Sequence, residues 1–220
     1  MTLAAIFVVL FPTLLLVYLF RRRSRMLRSA AKSIDGLAAL LANCQKTAKI
    51  GRRWHLCGTF RCRNFEIFQL DRSTTPSIGS RCAIKLAMEM PAGRHDLNLR
   101  IGRRRSFALI RQILGDVQVI LRNKVLAKRI SVHCRDSQFA NEFLNFEEYE
   151  TALENLWATD KRRGIVHMSR GVIVYKTLWR NGYDFIEEMH QALGLICDLH
   201  DFIRSGTWRS QQRTALHEGS

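Results

Sequence analysis

Ile130-Ser131-Val132-His133-Cys134-Arg135-Asp136-Ser137-Gln138-Phe139-Ala140 changes its periodicity halfway along. Up to Arg135 the residues alternate, with Ile130, Val132 and Cys134 on one side and Ser131, His133 and Arg135 on the other, as in a strand with one buried face. His133 is therefore expected to point away from the core. Asp136 can then accept hydrogen bonds from the free N–H groups of a helix beginning near Ser137, whose apolar side carries Phe139, Ala140, Phe143 and Leu144. A strand that hands over to a helix at one residue, with strand-like sequence before it and helix-like sequence after it, predicts an α+β fold.

Upstream, short extended runs are expected at Trp54 to Phe60, Phe65 to Leu70, Cys82 to Met90, Leu97 to Ile101, Val117 to Leu121 and Arg129 to Cys134. Asp71 to Ser80, with Pro76 and Gly79, and Pro91-Ala92-Gly93 break them. An antiparallel meander or small curved sheet follows, with Phe107 to Leu114 as a short helical or irregular bridge ending near Gly115. Downstream, Phe146 to Trp157 predicts a helix with Tyr149, Leu153, Leu156 and Trp157 opposite Glu147, Glu148, Glu150 and Glu154. Gly164 to His167 and Val172 to Tyr175 read as a hairpin around Ser169-Arg170-Gly171. Asp184 can cap a last helix with the stripe Phe185, Met189, Leu193, Ile196, Leu199 and Ile203, ending at Gly206.

Thr2 to Phe20 is a nearly unbroken apolar run of nineteen residues that stops at Arg21-Arg22-Arg23-Ser24-Arg25. As a helix it measures roughly 28 Å, close to the ~30 Å of a hydrocarbon core. The basic segment and small-residue cleavage site of a secretory signal are missing, so an uncleaved transmembrane helix is expected. The arginines would keep their side cytoplasmic, giving a single-pass protein of the inner or plasma membrane with its N-terminus outside and its C-terminal domain in the cytoplasm. Leu27, Ala30, Ala31, Ile34, Leu37, Ala38, Leu41 and Cys44 recur at steps of three and four and describe a juxtamembrane amphipathic helix. The expected divisions are residues 1–25 (anchor and basic flank), 26–50 (amphipathic helix), 51–135 (basic and β-rich), 136–206 (α-rich with the hairpin, one domain with 51–135) and 207–220 (polar tail).

The formal net charge of +16 is unevenly placed. Residues 21–135 hold 26 Lys or Arg against 6 Asp or Glu, whereas residues 136–220 hold 9 against 13. Arg21, Arg22, Arg23, Arg25 and Arg28 are expected to meet anionic lipid headgroups. Arg52, Arg53, Arg61, Arg63, Arg103, Arg104 and Arg105 are a possible surface for another anionic partner. Nucleic acid is a possible partner too, since polybasic stretches attract any phosphate, although no helix-turn-helix, zinc-finger or RNP-like signature accompanies the charge. An unidentified protein partner is expected, and no small-molecule substrate.

No complete catalytic constellation is present. GxSxG, GxxxxGKS and GxGxxG are missing from the sequence. Cys197 and His200 are neighbours on one helix face, but Cys197 borders an apolar stripe and reads as a structural thiol. Glu187 and Glu188 with His190 lack the HExxH order. Cys57-x4-Cys62, with His55 nearby, has no second pair to complete a zinc site. No enzyme activity, no cofactor and no metal are expected.

Leu56-Cys57-Gly58-Thr59-Phe60-Arg61-Cys62-Arg63, Ile101 to Val119 with Gly115-Asp116, Ile130 to Ala140, the late hairpin and the final helix resemble uncharacterised bacterial single-pass membrane-anchored proteins with a cytoplasmic α+β domain. The resemblance implies an architecture, a sheet opened by a glycine-aromatic-basic turn and closed by helices, and assigns no reaction. Cys62 stands where that pattern has glycine. The function expected is a non-enzymatic interaction or scaffold module with a basic surface; the alternatives are a tethered nucleic-acid-binding protein or a thiol or hydrolytic enzyme.

Overall fold

The computed structural model describes residues 3–47, 54–71, 80–89, 97–103, 117–158 and 164–205, with side chains in the first helix described from Leu14 onward. These residues form an α+β fold with five helices and a nine-stranded sheet. The elements run α1 (Leu3–Ala39), β1 (Ala42–Lys46), β2 (His55–Phe60), β3 (Arg63–Gln69), β4 (Arg81–Ala87), β5 (Leu99–Arg103), β6 (Val117–Val119), α2 (Lys124–Arg129), β7 (Ile130–Cys134), α3 (Ser137–Asn145), α4 (Glu147–Leu156), β8 (Ile165–Ser169), β9 (Val172–Leu178) and α5 (Tyr183–Ser205). Every strand pairing is antiparallel.

The sheet order is β1-β2-β3-β4-β9-β8-β5-β7-β6. β1 to β4 form the expected meander, but the late hairpin β8–β9 inserts between β4 and β5, so the sheet is not a meander throughout. Local periodicity cannot show this, because pairing between strands distant in sequence depends on which faces are left to bury. The inward residues of the central strands, Ile84 and Leu86 of β4, Ile173 and Tyr175 of β9 and Val166 and Met168 of β8, are all buried. They share one continuous core with the α5 stripe Phe185, Met189, Leu193, Ile196, Leu199 and Ile203. α5 packs on β4 and β9 and against α4 and α1, while α3 covers β6 and β7.

The switch at Asp136 is observed: its side chain accepts from the Phe139 N–H at 3.0 Å and starts α3. His133 requires a refinement. It alternates with Val132 and Cys134 as expected, yet all five residues of β7 are buried, His133 at 6% exposure. The face that the alternation assigns to solvent is covered there.

Several N-terminal expectations are corrected. The apolar run and the amphipathic segment after the arginines belong to one helix, since α1 runs 37 residues without a break through Arg21 to Arg28. It stops at Ala39, and Ala42–Lys46 is a strand although the apolar spacing continues to Cys44. Asn43 takes φ 52°, a left-handed conformation that Asn tolerates better than most residues and that a helix cannot contain. Gly58 lets this strand close on β2, since a Cβ there would stand 2.8 Å from the Leu41 side chain and 2.9 Å from the Ala42 carbonyl.

Among the described residues no helix is long and apolar enough to cross a membrane. This overturns the expected transmembrane helix, and with it the single-pass placement in an inner or plasma membrane and the orientation derived from it. Phe107 to Leu114, Gly206 and the 207–220 tail lie outside the described residues.

Candidate functional site

Among the described residues, an exposed basic surface lies on α1. Ala30, Ser33, Leu37 and Ala38 are buried at helical spacing and fix the C-terminal part of the helix to the domain. Between Leu14 and Ser29 no described side chain is buried, so about 24 Å of helix projects from the contact at Ala30. Arg21, Arg22, Arg23, Arg25 and Arg28 are all exposed on this projection. Arg21, Arg25 and Arg28 line one side, while Arg22 and Arg23 turn the charge around the helix. None of the five is paired with a described residue. Leu14 to Phe20, exposed between 46% and 74%, adjoin them.

The other expected cations are arranged differently. Arg52, Arg53, Arg104 and Arg105 lie outside the described residues, and Arg103 is half-buried at the end of β5. Arg61 and Arg63 sit at the β2–β3 turn, folded onto α5. Arg61 donates to Asp198 at 2.9 Å, and Arg63 donates to His200 Nδ1 at 3.1 Å and pairs with Asp201. Burial pushes the Asp198 carboxyl above its ordinary range even though the Arg61 guanidinium opposes the shift, so this pair adds little net stability. The turn itself is strained: Arg61 (φ 46°) and Cys62 (φ 61°) are both left-handed, where a two-residue hairpin normally uses Asn or Gly. The pairs to α5 engage both arginines: Arg63 keeps 22% of its side chain exposed, while Arg61 keeps 56%.

A buried polar cluster lies under α5 that the spacing of the carboxylates did not single out. Glu188 is fully buried. It accepts from Tyr175 Oη at 2.5 Å and Thr177 Oγ1 at 2.7 Å, and pairs with Arg180. Tyr175 and Thr177 are alternate inward residues of β9, so one carboxylate pins α5 to the middle of the sheet. The available signal was positional: Glu188 falls three residues after Phe185 and four before Ala192, inside the apolar stripe rather than beside it. Glu187 instead accepts from Gln191 at 2.8 Å, and His190 packs its ring 5.6 Å from Phe60, so the three residues do not converge.

Among the described residues no three His, Cys, Asp or Glu side chains are placed to hold a metal ion. Cys57 Sγ lies 3.5 Å from His55 Nε2, but Glu66 beside them is shared between His55 and Lys85, and Cys62 is at the far end of β2 in the turn. Cys197 is buried and donates weakly to the Phe60 carbonyl at 4.0 Å; burial pushes its thiol up to about 11, against the pull of Arg63 and Arg61. Cys82 is pushed up to about 12 by burial. Both are core thiols, and a nucleophile needs the opposite shift.

Native alkylation by iodoacetamide at pH 8 is therefore expected to label exposed Cys62 first and to leave Cys82 and Cys197 unlabelled until the chain is unfolded, as read by peptide mass spectrometry. Rapid labelling of Cys197 would contradict the burial. The sign of the pH dependence follows. Below pH 9 both states keep these protons, whereas above it the unfolded thiols ionise and the native ones do not, so stability falls between pH 9 and about 12. Cys82→Ala is expected to flatten that part of the urea stability profile.

No family model matches the chain, and no curated protein matches it. Among solved structures, it is similar to the crystal structure of the mycobacterial trehalose monomycolate transport factor A, TtfA, at 9% identity and a TM-score of 0.46, with 76% of each chain covered.

Proposed function

We propose that this chain is a non-enzymatic interaction module whose projecting α1 segment contacts anionic lipid headgroups. The observation that carries the reading is the set of exposed arginines at 21, 22, 23, 25 and 28 that no described residue neutralises. Arg61 and Arg63 are held by α5, whereas these five stand clear of the domain. Each Lys or Arg brought to an anionic surface contributes about 1 kcal/mol, within a Debye length. The exposed apolar residues Leu14 to Phe20 adjoin them and supply surface of the other kind that a lipid interface accepts.

The test is sedimentation of the full chain with phosphatidylcholine vesicles with and without phosphatidylserine, over a salt series. Binding is expected to require the anionic lipid, to fall as salt rises, and to drop at least about tenfold when the five arginines become glutamine. Equal binding to neutral vesicles, or no effect of the five substitutions, overturns the reading. Retention of a DNA or RNA oligonucleotide with a steep salt slope, without anionic vesicle binding, would assign the charge to nucleic acid instead.

A further inference from the structure

His200 stands between two partners that ask opposite things of one nitrogen. It is 8% exposed, on the last turns of α5 against the β2–β3 turn. Its Nδ1 accepts from Arg63 Nε at 3.1 Å, which requires that atom to carry no proton. The same Nδ1 lies 3.2 Å from Asp201 Oδ1, a contact that is favourable only when it does carry one. Arg63 and Asp201 are themselves paired, so guanidinium, imidazole and carboxylate close a triangle. An unprotonated ring favours the arginine. A protonated ring turns Nδ1 into a donor, directs it to Asp201 and leaves the Arg63 Nε–H facing another N–H.

This triangle holds one end of a hairpin. Arg63 also donates from Nη1 to the Arg61 carbonyl at 2.7 Å, so its attachment to α5 fixes the backbone of the turn. Arg61 adds a second attachment at Asp198, 2.9 Å away. Both turn residues, Arg61 and Cys62, are held at positive φ, a conformation that costs energy for side chains other than glycine. The other charged and titratable groups described around His200 are Cys197 and Arg204 on the neighbouring turns of α5, and Glu148 and Tyr149 of α4, which face Asp198. Burial pushes the Asp198 carboxyl above its ordinary range, so Asp198 takes up its proton ahead of an exposed carboxylate and then holds Arg61 less strongly. The native state binds that proton more readily than the unfolded chain, so this step adds to global stability as pH falls, and the opening it permits is local.

We infer that the β2–β3 turn is an acid-sensitive latch: protonation of His200 exchanges its bond from Arg63 for one to Asp201, and the turn carrying Arg61, Cys62 and Arg63 detaches from α5. The proton comes from solvent, and hydrogen bonds alone are exchanged. Once detached, two guanidinium groups that α5 engages at neutral pH face outward, so the basic surface of the domain grows in the mildly acidic range where histidine side chains ordinarily change charge. The device is independent of the α1 arginines and of the lipid reading.

The test is NMR-detected amide exchange of the full chain at pH 7.5 and pH 5.5, expressed as protection factors so that the intrinsic pH dependence of exchange is removed. Protection at Phe60 and Arg63, the closing pair of the turn, is expected to fall at least about tenfold on acidification, while Ser169 and Val172, the closing pair of the β8–β9 hairpin, keep theirs. His200→Asn places an amide oxygen where Nδ1 stands, so Arg63 keeps an acceptor at both pH values; this variant should match the wild-type protection at pH 7.5 and lose the fall. Arg63→Met covers the case in which the buried substitution prevents folding. It lacks the donor, so its turn should be as weakly protected at pH 7.5 as the wild-type turn is at pH 5.5, with no further change. Wild-type protection that is indifferent to pH, or a fall that persists undiminished in either variant, overturns the inference. A fall shared equally by Ser169 and Val172 overturns it too, by making the change global.

Discussion

Glu188→Ala is expected to cost about 3 to 5 kcal/mol of folding stability, the range for removing one partner of a buried ion pair. The substitution strands three groups at once: the Tyr175 and Thr177 hydroxyls, which both donate to this carboxylate from buried positions, and the Arg180 guanidinium. It also leaves a cavity under α5. For a chain of this size, each kcal/mol moves the melting temperature by roughly 2 to 4 °C, so a fall of about 10 °C is expected. Glu188→Gln should lose less, since an amide oxygen still accepts from one or both hydroxyls and Arg180, 26% exposed, reaches solvent. Urea unfolding of the three proteins checks the order. A loss below about 1 kcal/mol for Glu188→Ala would show that the apolar stripe alone holds α5 to the sheet.

That carboxylate shows where sequence reading stops. The α5 stripe from Phe185 to Ile203 is legible because six apolar residues repeat at helical spacing over a long element. Glu188 lies on the same stripe, but its partners Tyr175 and Thr177 are on a strand, and only the folded sheet brings helix and strand together. The hairpin β8–β9 is legible from Ser169-Arg170-Gly171, which turns with Arg170 at φ 50° and Gly171 at φ 74°. Its place between β4 and β5 is not legible, because the same two strands would look identical at an edge. Lys176 faces outward on β9 and Tyr175 inward, but alternation of that kind gives a face and not a neighbour.

The candidate site divides in the same way. The α1 arginines were legible as a run of charge, and their exposure on a projecting helix follows from the absence of a buried side chain among the described residues from Leu14 to Ser29. Arg61 and Arg63 read the same way in sequence and behave differently, since Asp198 and Asp201 meet them from a helix more than a hundred residues later. Charge counts predict a basic surface; long-range pairing decides which of its members remain available.

Gly164→Ala is expected to be nearly as damaging as the loss of Glu188, for a reason that joins the hairpin to the same cluster. A Cβ at Gly164 would collide with the hydroxyl and ring carbons of Tyr175, which is a central, fully buried residue of β9 and cannot swing aside. The Gly164 carbonyl also accepts from Trp157 Nε1 at 3.2 Å, so moving the backbone to relieve the clash pulls on a second buried side chain. Overpacking of this kind costs about 1 to 3 kcal/mol, and the shared hydrogen bonds of Tyr175 to Glu188 and of Trp157 to Gly164 place the loss at the upper end. Removing the ring separates packing from backbone effects. Tyr175→Leu destabilises the wild-type chain, but it opens the space the new methyl needs, so Gly164→Ala should cost much less in that background. The expected coupling in the double-mutant cycle is about 1 to 2 kcal/mol in favour of the pair. Additive losses would mean that Gly164 is required for its backbone conformation, and the contact with Tyr175 would then have no part in holding β8 beside β9.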